Sequence, residues 1–206
     1  MNRVVIAATL LALCGQAAAD DNGLYFTESF GVGMARGDLR QYMGNPMHMR
    51  IAVGARLGNL AVEPWVTSDL QMDRDGAFRG IIGGEPAAGS ADLASYGIDA
   101  KYSVQIDRHL SAYVRGGPMI ASATGVLEGY DGYGIGVAGG FQISGRVRAL
   151  GFLWSPLFFL KRGPMITGSL YMDQGYDFYR LKMPGAPTLN AHVGHVNVGF
   201  SLGSSF

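Results

Sequence analysis

The sequence predicts an all-β chain, an eight-stranded antiparallel transmembrane β-barrel, and three observations carry that prediction. Apolar residues alternate with small or polar ones at a period of two almost throughout, whereas helical spacing is nearly absent. The composition is unsuited to a solvated skin: of 206 residues 32 are Gly, 48% are hydrophobic and 16% are charged, against about 7% Gly and about 25% charged in an ordinary soluble domain. Short and long connections also alternate along the chain, as an up-and-down barrel requires. Lys plus Arg equal Asp plus Glu at 16 each, so no positive field exists to collect phosphates and no nucleic-acid partner is expected.

Residues 1–19 read as a cleaved signal peptide and 20–206 as the barrel domain. Arg3 supplies the positive start, Val4 to Leu13 is apolar, and Ala17, Ala18 and Ala19 form a small-residue cleavage site before Asp20. Cys14 would anchor a lipid in a lipoprotein, but Leu13 is bulky where a small residue is needed. Cys14 is the sole cysteine, so cleavage leaves an exported chain that cannot use disulfides. No apolar run approaches the ~20 residues of a membrane helix.

Eight alternating segments follow in order. Leu24, Phe26, Phe30, Val32 and Met34 share one parity; Met47, Met49, Ile51, Val53, Ala55 and Leu57 repeat it; Gly58 and Asn59 then form a two-residue hairpin turn. The return sets Leu60, Val62, Val66, Leu70 and Met72 against Ala61, Glu63, Trp65, Thr67, Asp69 and Gln71. Tyr96, Ile98, Ala100, Tyr102, Val104 and Ile106 form a fourth run. A turn at 107–109 leads to Leu110, Ala112 and Val114; Tyr133 to Val147 gives a sixth, Ile166 to Phe178 a seventh, and His192 to Phe206 the last.

Alternation does not say which face is inside; the second face does. It is mostly Gly, Ser, Ala and Thr with a few charges, which suits a narrow lumen rather than water, while Leu, Val, Ile and Phe suit hydrocarbon. The apolar face is therefore expected to meet lipid, with Tyr96, Tyr133, Tyr176 and Phe178 as an interfacial girdle at the loop-bearing end. Connections 36–46, 73–93, 121–132 and 182–191 are long and rich in Gly, Pro and polar residues. Residues 149–164 are an apolar exception on the short-turn end, read as an interfacial segment anchored by Trp154, Phe158 and Phe159; the rival reading makes them extra strand and gives ten strands. Glu28, on the lipid parity, and Pro64, inside a strand, resist the scheme and call for a bulge or the interface.

At the C-terminus Val196, Val198, Phe200, Leu202 and Phe206 alternate and finish on an aromatic residue. This resembles the assembly signal of outer-membrane barrels, assigned here to Phe200, Leu202 and Phe206. With the leader and the strand pattern it makes the mature chain similar to the small OmpA/OmpX-type outer membrane β-barrel proteins. The resemblance is one of architecture, with no diagnostic internal motif. It implies a Gram-negative outer membrane, with outer-membrane lipids and the barrel-assembly machinery as partners, a monomer, and an unidentified extracellular ligand for the loops. No peptidoglycan-binding domain is expected.

Candidate chemistry is sparse. Gly134 to Gly139 satisfies G-x-G-x-x-G, but within a strand and with no helix to receive a pyrophosphate, so the glycines are read as close packing. Asp73, Asp75, Glu85 and Asp92 offer only a weak cation loop, because the spacing of a calcium site is missing. His48 and His195 share the lumenal parity with Asp177 and Ser95 near the external rim, with His192 close by. Outer-membrane acyltransferases and deacylases for lipid A use Ser, His and acidic groups near the outer leaflet, so an acyl-transfer site is one alternative. The expectation is nevertheless no enzyme, no catalytic residue, no metal and no cofactor. The stronger constellation is lumenal: Glu63, Asp69, Asp99 and Asp173 share the small face with Arg50, Lys101, Arg115, Arg146 and Arg148. Isolated charges there would be costly, so a cross-lumen network is expected. The function expected is a structural or surface-interaction role through the external loops, with a small porin as the other alternative.

Overall fold

The computed structural model describes residues 22–71, 90–148 and 165–205. Eight strands, β1 (Gly23–Gly37), β2 (Met47–Leu57), β3 (Leu60–Leu70), β4 (Ala91–Gln105), β5 (Leu110–Gly125), β6 (Asp131–Arg148), β7 (Met165–Lys182) and β8 (Leu189–Ser205), pair antiparallel with their sequence neighbours. Pairing of β1 with β8 closes the barrel. Every strand edge is thereby satisfied, which is the condition for placing strands in hydrocarbon. The closed ring of eight overturns the ten-strand alternative, since β1 and β8 leave no open edge for two more; residues 149–164 themselves lie outside the described residues.

Register can be followed once around the wall. From Gly23 it passes through Arg56, Ala61, Lys101, Arg115, Ala138, Gly175 and His195, and returns to β1 at Gly33, a shear of ten residues. That offset tilts the strands and sets the width of the interior. Between β2 and β3 the register is the same on both sides of Pro64 (Ala52 opposite Trp65, Ala55 opposite Val62), so the missing N–H interrupts the ladder without a bulge. Glu28 needs no bulge either: it stays in register between Ile51 and Phe200, half-buried on the outer face.

The turn at Gly58 and Asn59 joins Leu57 to Leu60. Gly58 has φ of 60° and no described non-Gly residue has positive φ, the arrangement of a type II′ hairpin whose first central residue favours Gly. At the loop-bearing end the strands run further than the apolar alternation suggests: β5 reaches Gly125 and β7 reaches Lys182, leaving connections of 126–130 and 183–188. A single 3-10 turn, Asp38–Gln41, lies between β1 and β2.

The two faces separate by composition. Outward residues are large and apolar, among them Val32, Ile98, Ile135, Leu170 and Val198. Tyr96, Tyr133, Tyr176 and Phe178 are also outward and exposed, at the loop-bearing end of their strands. Inward residues are small, polar or charged over most of the length. The loop-bearing end is different: Leu39, Met43, Leu93, Leu127, Leu181 and Val193 belong to one cluster of buried apolar side chains that closes the lumen there.

Candidate functional site

Beneath that apolar closure lies the polar lumen, which has two layers. Period-two geometry sends alternate residues of each strand inward, and the register sets their heights.

The deeper layer is a chain of ion pairs with alternating sign. Lys101 Nζ lies 3.2 Å from Glu63 Oε1, Glu63 Oε2 lies 3.2 Å from Arg50 Nη2, and Arg50 Nη2 lies 3.0 Å from Asp99 Oδ2. The same Asp99 oxygen is 3.0 Å from Arg115 Nη1, whose Nη2 is 3.0 Å from Asp173 Oδ2. Three cations thus neutralise three carboxylates contributed by five strands. Tyrosines add to two of the carboxylates: Tyr25 donates to Glu63 at 2.6 Å and Tyr113 to Asp173 at 2.9 Å. Aromatic faces support the cations, with the Arg50 guanidinium carbon 4.8 Å from the centre of the Trp65 ring and Lys101 Nζ 4.3 Å from that of Tyr113. The side chains in this chain of pairs are at most 7% exposed, so the charges are tolerable only because each is paired and hydrogen-bonded.

The second layer, toward the loop-bearing end, is built on histidine. His48 Nδ1 is 2.8 Å from Asp69 Oδ1, directly across the β2–β3 register. The His48 and His195 rings stack with centroids 4.3 Å apart and planes within 1° of parallel. His195 Nε2 is 3.6 Å from Asp177 Oδ2, while Asn197 Nδ2 is 2.8 Å from His195 Nδ1 and donates to Asp173 Oδ1 at 2.9 Å. Asn197 therefore ties the two layers together. Gly175 makes room for the stack, since a Cβ there would meet His195 Cε1 at 2.5 Å.

Of the residues singled out from sequence, Arg50, Glu63, Asp99, Lys101, Arg115 and Asp173 meet in the ion-pair chain. Asp69 does not; it serves His48 instead. The side chains of Arg146 and Arg148, and Phe206, lie outside the described set, whereas Phe200 and Leu202 are outward on β8. His48, His195 and Asp177 come together in the lumen, but Ser95 donates to the Tyr179 hydroxyl at 3.3 Å rather than to an imidazole. His192 is separate, on the outer face beside Phe178 with ring centroids 5.8 Å apart. Asp92 accepts the Gln71 backbone N–H at 2.7 Å; Asp73, Asp75 and Glu85 lie outside the described residues. Among the described residues no group of three or more His, Cys, Asp or Glu is arranged to hold a metal ion. Sequence reasoning missed Tyr25 and Asn197, whose inward parity was visible but whose partners depend on long-range register.

No protein-family model matches the chain and no curated protein is significantly similar to it. Among solved structures it is similar to Neisserial surface protein A, with TM-score 0.56 and 16% identity over 89% of this chain and 97% of that one. It also aligns with the attachment invasion locus protein Ail of Yersinia pestis, at TM-score 0.48 and 13% identity over 90% of this chain and 99% of that one. A third is the outer membrane protein OprG of Pseudomonas aeruginosa, at TM-score 0.41 and 10% identity over 90% and 97%. The likeness to Neisserial surface protein A is one of fold.

Proposed function

We propose that this chain is an integral outer membrane protein, exported by a leader at 1–19 that is cleaved, whose barrel is a closed scaffold and whose role is structural or surface-interacting through its external end. The observation that carries this reading is the occupied interior. A neutral six-residue chain of ion pairs, a histidine layer and an apolar closure succeed one another along the axis, leaving the outward loops as the part free to meet a partner. Its partners on this reading are outer-membrane lipids, the barrel-assembly machinery during insertion and an extracellular ligand. The protein acts as a monomer and without catalysis.

The test has two parts. Membrane residence is read by detergent-dependent extraction and by a folded form that keeps its fast migration in SDS until boiled, because closure pairs every edge; recovery in the soluble periplasm would refute it. The role of the loops is read by whole-cell surface-binding assays on cells with and without the protein and on a variant in which 126–130 and 183–188 are replaced by Gly-Ser. Loss of binding in this variant would assign the role to these two loops, and binding that depends on the protein yet survives Gly-Ser replacement of every external connection, those before β2 and β4 included, would refute the loop assignment. Changes in lipid A mass that depend on His48 or His195 would favour acyl-group chemistry instead.

A further inference from the structure

Between the two polar layers lies a small cavity lined by His48, Trp65, Thr67, Asp99, Arg50 and Arg115, with Gly136 in the wall of β6. Four buried atoms of these residues, His48 Nε2, Trp65 Nε1, Thr67 Oγ1 and Asp99 Oδ1, have no hydrogen-bond partner among the described residues. His48, Trp65, Thr67 and Asp99 are each 6% exposed or less. Buried polar atoms are nearly always satisfied, and here four residues that carry unsatisfied ones line one space.

Their chemistry specifies the occupant. His48 Nδ1 faces a carboxylate oxygen at 2.8 Å, and a carboxylate only accepts, so Nδ1 carries a hydrogen; with a single hydrogen on the ring, Nε2 is an acceptor. Asp99 Oδ1 is a second acceptor, the Trp65 indole N–H is a donor, and the Thr67 hydroxyl can be either. The required ligand therefore offers two hydrogens and accepts at least one, and the cavity is small enough to hold about one such molecule. A metal cation would sit against Arg50 and Arg115 and find a single free imidazole nitrogen. A halide would face the carboxylates of Asp99 and Asp177.

We infer that this cavity is a binding site for a single internal water, which accepts from Trp65, donates to His48 and Asp99, and so joins the histidine layer to the ion-pair chain. The apolar cluster at the loop-bearing end includes Trp65 of the cavity wall and packs outward from it, so exchange with bulk water is expected to be slow.

The test is NMR on the full ¹⁵N-labelled chain in lipid nanodiscs, with the Trp65 indole N–H assigned by its loss in Trp65→Phe. The expected result is a cross-peak from that indole to water whose sign reverses between laboratory-frame and rotating-frame experiments, the mark of a bound water rather than of proton exchange. Gly136→Ala, which places a methyl in the cavity wall near Asp177, is expected to abolish it. Thr67→Val, milder should the first variant fail to assemble, is expected to at least halve it. Absence of the peak in the parent, a peak of exchange character only, or a peak unchanged in an assembled variant would overturn the site.

Discussion

Arg115 grips Asp173 with two nitrogens on one oxygen, Nε at 3.3 Å and Nη2 at 3.0 Å from Oδ2, while its Nη1 donates to Asp99 at 3.0 Å. One guanidinium thus bridges carboxylates on β4 and β7. Removing it leaves Asp173, whose side chain is fully buried, without its arginine and leaves Asp99 with Arg50 alone. Arg115→Ala is expected to destabilise the barrel by about 3–5 kcal/mol, the cost of breaking a buried pair from one side. Arg36→Ala, at the exposed end of β1, should change stability by less than about 1 kcal/mol. Urea midpoints of the two variants in lipid bilayers check this, and equal midpoints would mean that water reaches the lumenal charges.

Steric room at the histidine layer gives a second expectation. A Cβ on Gly175 would meet His195 Cε1 at 2.5 Å and Ala138 Cβ at 2.7 Å, whereas one on Gly145 would meet nothing within 4 Å. Gly175→Ala should cost about 1–3 kcal/mol through overpacking, and Gly145→Ala should be close to neutral. The same urea titration decides; a neutral Gly175→Ala would show that the imidazole stack shifts freely.

How far these layers were readable from sequence depends on how each register is set. The two-residue turn at Gly58 and Asn59 fixes the pairing of β2 with β3, so the position of His48 opposite Asp69 follows from counting back along the hairpin. Asp69 could have been assigned to His48 rather than to the arginines on that ground. Glu63 opposite Asp99 could not, because the connection before β4 is long and leaves the register free. The His48–His195 stack lies further beyond reach, since it requires the closing ladders of β1 with both β2 and β8. The strands themselves were legible because period two is strict wherever one face is apolar. Their outer ends were not, because beyond the apolar band inward Ala and Leu replace the lumenal pattern, as at Ala91, Leu93 and Leu181.

A third expectation concerns the C-terminal strand. Phe200 and Leu202 stand outward in alternation and continue toward Phe206, the pattern that resembles the assembly signal of outer membrane barrels. Phe206→Asp is expected to lower the yield of heat-modifiable, membrane-inserted barrel several-fold, while Ser204→Asn leaves it near the parent level. Quantifying folded and unfolded bands from outer-membrane fractions checks this; parental yields for Phe206→Asp would remove the terminal residue from any role in assembly.

The last expectation is that the barrel conducts ions poorly. Eight strands enclose an interior just wide enough for side chains, and wide aqueous channels are found with about 16 strands. Here that space holds Trp65, Tyr113, Tyr171 and Tyr179, all buried, together with the ion-pair chain. A permeating ion would have to part Arg50 from Asp99 or Arg115 from Asp173, exchanging short buried pairs for its own incomplete hydration. At the loop-bearing end it would then meet Leu39, Met43, Leu93 and Leu127, which offer no polar group. Planar-bilayer recordings of the folded protein should be silent or show rare, small openings. Arg115→Ala should raise their frequency only modestly, because the apolar closure remains, whereas adding Leu39→Ser and Leu127→Ser should raise it further. Frequent porin-sized openings in the parent would reject the closed scaffold and move the function from the loops to the lumen.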